Sequence, residues 1–127
     1  MAAIRSFPNR VISYWPTEKE LPNMTIYMNQ YQTKARETAI FPESEAIPYL
    51  ALGLCGEAGE VANKIKKCIR DGASYDGIAA ELGDVLWYVA VLAHYLGEDL
   101  NTIAAGNLLK LHNRASKGTL SGSGDDR

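Results

Sequence analysis

A chain of 127 residues, 46% hydrophobic and 22% charged, has room for one domain and one core and reads as an ordinary soluble globular protein. Its net charge of -2 and pI near 5.7 give no footprint for nucleic acid or an anionic membrane. No apolar run reaches the roughly 20 residues of a membrane span, and the opening MAAIRSFPNRV lacks the apolar core of a signal peptide.

Residues 1–23 hold Pro8, Pro16 and Pro22 without clean periodicity and read as an irregular arm. The regular pattern starts at Met24, and a domain is expected over 24–118. Residues 25–38 form a short amphipathic helix with Ile26, Tyr27, Gln30, Tyr31 and Lys34 three or four apart, broken by Phe41-Pro42. A second helix is expected from about Ser44 to Arg70, with Pro48 tolerated in its first turn. Its apolar stripe is Leu50, Leu54, Ala58, Val61, Ile65, Cys68 and Ile69, and Asp71-Gly72 supplies a glycine stop. A third helix runs from about Asp76 to Leu96, capped by Ser74 or Asp76. Its stripe is Ile78, Leu82, Val85, Leu86, Val89, Leu92, Ala93 and Leu96, with Glu81, Asp84, Tyr88, Val91 and Tyr95 on a line beside it. Gly97 closes it, and Asp99 caps a fourth helix to about Ser116, with Leu100, Ile103, Ala104, Leu108 and Leu111 inward. Residues 119–127 form a Gly/Ser-rich tail.

The expected fold is all-α, built on a long antiparallel hairpin of helices two and three. Cys55 and Cys68 fall on different faces of one helix, too far apart to bridge, so two free thiols in a reducing cytosol are expected and the protein is placed in the cytoplasm.

Two acidic pairs carry the chemistry: Glu57-Ala58-Gly59-Glu60 and Glu81-Leu82-Gly83-Asp84. Spaced i,i+3, the acids of each pair share a helix face. Counted from the turn at Asp71-Gly72, the pairs come to nearly the same level, so four carboxylates meet beside a core. A cation must hold them there. Oxygen ligands without His or Cys suit Mg²⁺ or Mn²⁺. A di-iron bundle would want Glu-x-x-His, and neither His94 nor His112 stands at that spacing. Lys64 and Lys67 offer positive charge for a polyphosphate, although Glu60–Lys64 is also a plain i,i+4 surface pair.

With its flanks, LALGLCGEAGEVANKIKK and ELGDVLWY, the double motif resembles the MazG-like all-α nucleoside triphosphate pyrophosphohydrolases, whose hallmark is ExxE, a spacer and ExxD. Here the spacer is Val61 to Ala80. The resemblance covers about residues 25–127. It implies a four-helix fold assembled as a homodimer or homotetramer. It also implies Mg²⁺-dependent hydrolysis of a (deoxy)nucleoside triphosphate at the α–β bond, without nucleic acid or membrane as partners. Glu57, Glu60, Glu81 and Asp84 carry over as metal ligands and catalytic acids. Lys64, Lys67, Lys110 and Arg114 are candidates for the phosphates. Phe41 matches a base-stacking position and Tyr88 one beside the sugar; Gln32 and Asn107 are further candidates for the base or sugar.

Two rival readings differ in class. One is a dUTPase-like or phosphoribosyl-ATP pyrophosphohydrolase-like relative. The other is a non-catalytic, metal-dependent helical interaction module that keeps the acids for structure.

Overall fold

The computed structural model describes residues 17–20 and 23–124. Most of the expected arm, residues 1–16, 21 and 22, lies outside them, as do residues 125–127 of the tail. Among the described residues four α-helices form the body: α1 (Met28–Glu37), α2 (Ala46–Asp71), α3 (Ile78–Tyr95) and α4 (Leu100–Ser116). A short 3-10 turn, Glu43–Glu45, leads into α2. No strand occurs among the described residues, so the all-α expectation holds.

The helix ends follow local chemistry, with one correction. Pro48 is the third residue of α2, where its missing N–H would have had no intrahelical partner. Gly72 ends α2 at φ 64, a left-handed conformation that costs glycine little, and the N–H of Ala73 returns to the Cys68 carbonyl at 3.0 Å. Asp99 caps α4 by accepting from the Thr102 N–H at 2.7 Å. Neither Ser74 nor Asp76 caps α3. Ser74 Oγ donates to Asp76 Oδ2 at 2.6 Å, and the chain still has to turn through Gly77 (φ 83) before the helix begins.

α2 and α3 pack along their length as an antiparallel hairpin: Gly53 near the start of α2 meets Tyr88 late in α3, and Lys64 further along meets Glu81. α1 lies on α3, and α4 touches α1 and α3 but, among the described residues, not α2. The core sits at one end of the hairpin. Ala35, Ala46, Leu50, Ala90, Val91 and Leu100 are buried there, ringed by half-buried Tyr31, Phe41, Trp87, Tyr88, Val89, Leu92 and Tyr95.

Gln32 knots the four-helix end. Its Nε2 donates to the carbonyls of Ala90 (3.1 Å) and Glu98 (3.0 Å), and its Oε1 accepts from the Leu100 N–H at 3.1 Å. One amide thus satisfies a donor at the start of α4 and ties α1 to the end of α3. Asn29 Oδ1 adds a bond from the Asn101 N–H at 2.9 Å.

The expected apolar stripes are only partly covered. Leu50 and Ala93 are buried and Leu54, Val61, Ile65 and Val85 half-buried, but Ala58, Ile69, Leu82, Leu86, Leu96, Ile103, Leu108 and Leu111 are exposed. Ala90 and Val91, which were not on the expected stripe, are buried instead. α3 packs against α1 as well as α2, which moves its buried line toward the seam between them. By length and composition alone the 18-residue α3 would be apolar enough to cross a membrane, although it carries Glu81 and Asp84.

Candidate metal centre

Past the core, toward the α2–α3 turn, the hairpin carries its acids. Glu57 and Glu81 are half-buried and Asp84 is exposed. One carboxylate oxygen from each lies within 4.8 Å of the others, across two helices. The donor set is all oxygen, which fits a hard divalent cation and disfavours a soft one. Glu60 is exposed one turn beyond Glu57 and is not part of this trio.

Lys64 stands among these acids. Its Nζ is ion-paired with Glu81 Oε1 across the hairpin, replacing the expected Glu60–Lys64 pair. The Glu81 hydrogen bond above all, and then the charges of Glu81, Glu60 and Asp84, hold the Lys64 ammonium above its usual range. Lys64 is therefore charged and lies beside the acids. Lys67 is exposed nearer the turn, where its charge acts on Asp71.

Aromatic residues wall the core side of the acids. The Tyr88 ring rests on the bare backbone of Gly53, and its edge meets Trp87 with centroids 4.8 Å apart. Burial first, then Tyr49 and the Glu57 carboxylate, push the Tyr88 phenol up. Tyr31 on α1 is pushed up by burial and then by the charge on Asp84. Phe41 stacks on Tyr49 at 5.0 Å and 27° and tilts against Tyr95 at 5.6 Å. One face of Phe41 is thus taken by Tyr49, and Phe41 is part of an aromatic cluster rather than a lone ring. Glu43 braces that cluster: Tyr95 Oη donates to it at 2.7 Å and Arg36 pairs with it at 2.6 Å.

The other expected contacts are not brought together with the acids. Gln32 is 6% exposed with both N–H donors used inside the fold, so it is a strut and not a reader of base edges. Arg114 is buried, 8% exposed, because α4 turns that side chain into the body instead of toward the phosphates. Asn107 and Lys110 are exposed on α4, the helix that does not touch α2. Tyr49, which stacks on Phe41, was not among the expected candidates, although it stands four residues before Gly53 and eight before Glu57 on one face.

Residues 47–119 match the MazG nucleotide pyrophosphohydrolase domain, a span that takes in nearly all of α2, the whole of α3 and α4, and every acid of the two pairs. The chain belongs to that family. It is also 44% identical over 114 residues to Gene 37 protein of Mycobacterium phage L5, an alignment covering 80% of this chain and 100% of that protein. No solved structure matches it. α1 lies outside the matched span, yet it supplies Gln32 and Tyr31 to the core of this MazG domain.

Proposed function

We propose that this MazG domain hydrolyses a nucleoside triphosphate between the α- and β-phosphates, releasing a nucleoside monophosphate and pyrophosphate. The observation that carries the reading is the convergence of Glu57, Glu81 and Asp84 from two facing helices, with the Lys64 ammonium among them. Glu57, Glu81 and Asp84 would hold Mg²⁺ or Mn²⁺, with Glu60 one turn further along α2. A divalent cation there supplies charge neutralisation for the phosphates and lowers the pKa of a coordinated water.

The chain's own residues do the rest by placement. Lys64 can leave Glu81 for a phosphate oxygen without leaving the site, which keeps a positive charge where negative charge gathers in the transition state. Tyr88 and the Phe41–Tyr49 pair close the apolar side, where a sugar and base are separated from bulk water. Holding phosphate and water in line is then the main task, as in phosphoryl transfer generally.

We also infer that two copies of the chain pair through the exposed leucine and isoleucine faces. Leu52, Ile69, Leu82 and Leu108 are 75%, 70%, 54% and 66% exposed in the single chain, more apolar surface than a soluble monomer usually shows.

The test is product analysis on all canonical ribo- and deoxyribonucleoside triphosphates, in Mg²⁺ and in EDTA. Pyrophosphate and a monophosphate are expected from at least one of them, in Mg²⁺ only. Orthophosphate with a diphosphate would reject α–β cleavage. Metal binding without turnover of any substrate would favour the non-catalytic module.

A further inference from the structure

We propose that Gly53 and Tyr88 form an interlock that sets the spacing of α2 and α3 at the acids, making both positioning residues for Glu57 and Asp84. This inference rests on the metal-site reading above. A Cβ built on Gly53 would fall inside the van der Waals envelope of Tyr88 Cε1 and Cζ and only 2.8 Å from Cδ1. The clash is with the body of a rigid ring and not with the tip of a flexible chain. Gly56, Gly59 and Gly83, also inside these two helices, have open space where a Cβ would stand. Glycine in a helix interior is destabilising against alanine, and at Gly53 the close approach of the ring gives that cost a reason.

The position of the contact is what links it to the site. Gly53 lies four residues before Glu57 on α2, and Tyr88 four residues after Asp84 on α3. Each is therefore one turn from a carboxylate on the same helix face. The ring on the bare backbone lets the helices approach just where the acids need it. The packing of Trp87 against its ring, with centroids 4.8 Å apart, holds Tyr88 in that seat. A metal site must be held to within about half an ångström. A methyl group under the ring would push the helices apart by more than that, and Glu57 would move away from Glu81 and Asp84.

The experiment uses the full chain and Mn²⁺ alone, with binding followed by the electron paramagnetic resonance signal of free Mn²⁺ and melting curves taken in EDTA. The variants are Gly53→Ala, Tyr88→Leu and the pair together. Gly53→Ala is expected to weaken Mn²⁺ binding by about 10- to 100-fold, the cost usual for groups that orient metal ligands. With the ring removed the methyl should be harmless, so the double variant should bind Mn²⁺ like Tyr88→Leu alone. A purely structural contact would lower the melting temperature of Gly53→Ala and leave Mn²⁺ affinity at the parent's value, which would overturn the proposal. Should Gly53→Ala not fold, the other two decide: a double variant that folds and binds as Tyr88→Leu does supports the interlock, and weaker binding in the double overturns it. A parent that binds no Mn²⁺ would sink the metal reading itself. The interlock is then read from the melts in EDTA, where Gly53→Ala melting above the parent would overturn it too.

Discussion

Asp84 and Lys64 show how the site trades stability for binding. Three carboxylates within 4.8 Å repel one another, and Lys64 offsets only part of that charge. Residues of this kind are set for binding rather than for folding. Asp84→Asn removes one charge with little change of shape. In EDTA this variant should melt at the parent's temperature or above it. In Mg²⁺ the order should reverse, because the parent gains RT ln(1 + [L]/Kd), about 2.7 kcal/mol at a hundred times Kd, and the variant gains little. Pyrophosphate release should fall by orders of magnitude. Two melting curves for each protein and one turnover assay check this. A metal-free variant destabilised by several kcal/mol would instead make Asp84 a structural partner, and the second acidic pair would lose its role.

Among the elements, α4 depends most visibly on a single residue at its start. Asp99 accepts from both the backbone N–H and the hydroxyl of Thr102, each at 2.7 Å. The Thr102 hydroxyl above all, then its N–H, hold the Asp99 carboxyl below its usual range. Asp99→Ala should lower the stability of the fold by about 1 kcal/mol, the ordinary value of an N-cap. The pH dependence follows from the direction of the shift. The folded carboxyl is the stronger acid, so its contribution is present above the ordinary pKa near 3.8 and is lost as the pH falls through the lower, folded value. The difference in melting temperature between parent and Asp99→Ala should be constant at neutral pH and shrink below about pH 4. A difference that stays constant down to pH 2 would show that the carboxylate is not the capping group.

On the scale of the whole molecule, core and site occupy different parts of the hairpin. The four-helix end is packed around Leu50 and Val91, whereas the part bearing the acids is a two-helix ribbon with leucines on its outer faces. In the proposed pairing a second copy of the chain covers this ribbon and its outer leucines. Light scattering at micromolar concentration should therefore give at least twice the 13.9 kDa chain mass. A mass of one chain would reject the pairing.

Much of this was legible in the residues alone. The four helices of the described residues, the glycine stop at Gly72, the Asp99 cap and the level at which Glu57 meets Glu81 and Asp84 follow from period, punctuation and counting from a turn, whereas the fourth carboxylate, Glu60, does not join them. Those are local properties, governed by spacings of three or four residues and by single backbone conformations. The roles of Gln32 and Arg114 were not legible in this way. Both are polar and lie on amphipathic helices, where a polar residue normally faces water; only the contact of α1 and α4 with α3 turns them inward. Lys64 had an acid four residues away on its own helix, yet it pairs with Glu81 seventeen residues on, because the hairpin brings that carboxylate nearer. Gly53 and Tyr88 acquire meaning only as a pair, since the space a side chain needs depends on what another helix has already placed there.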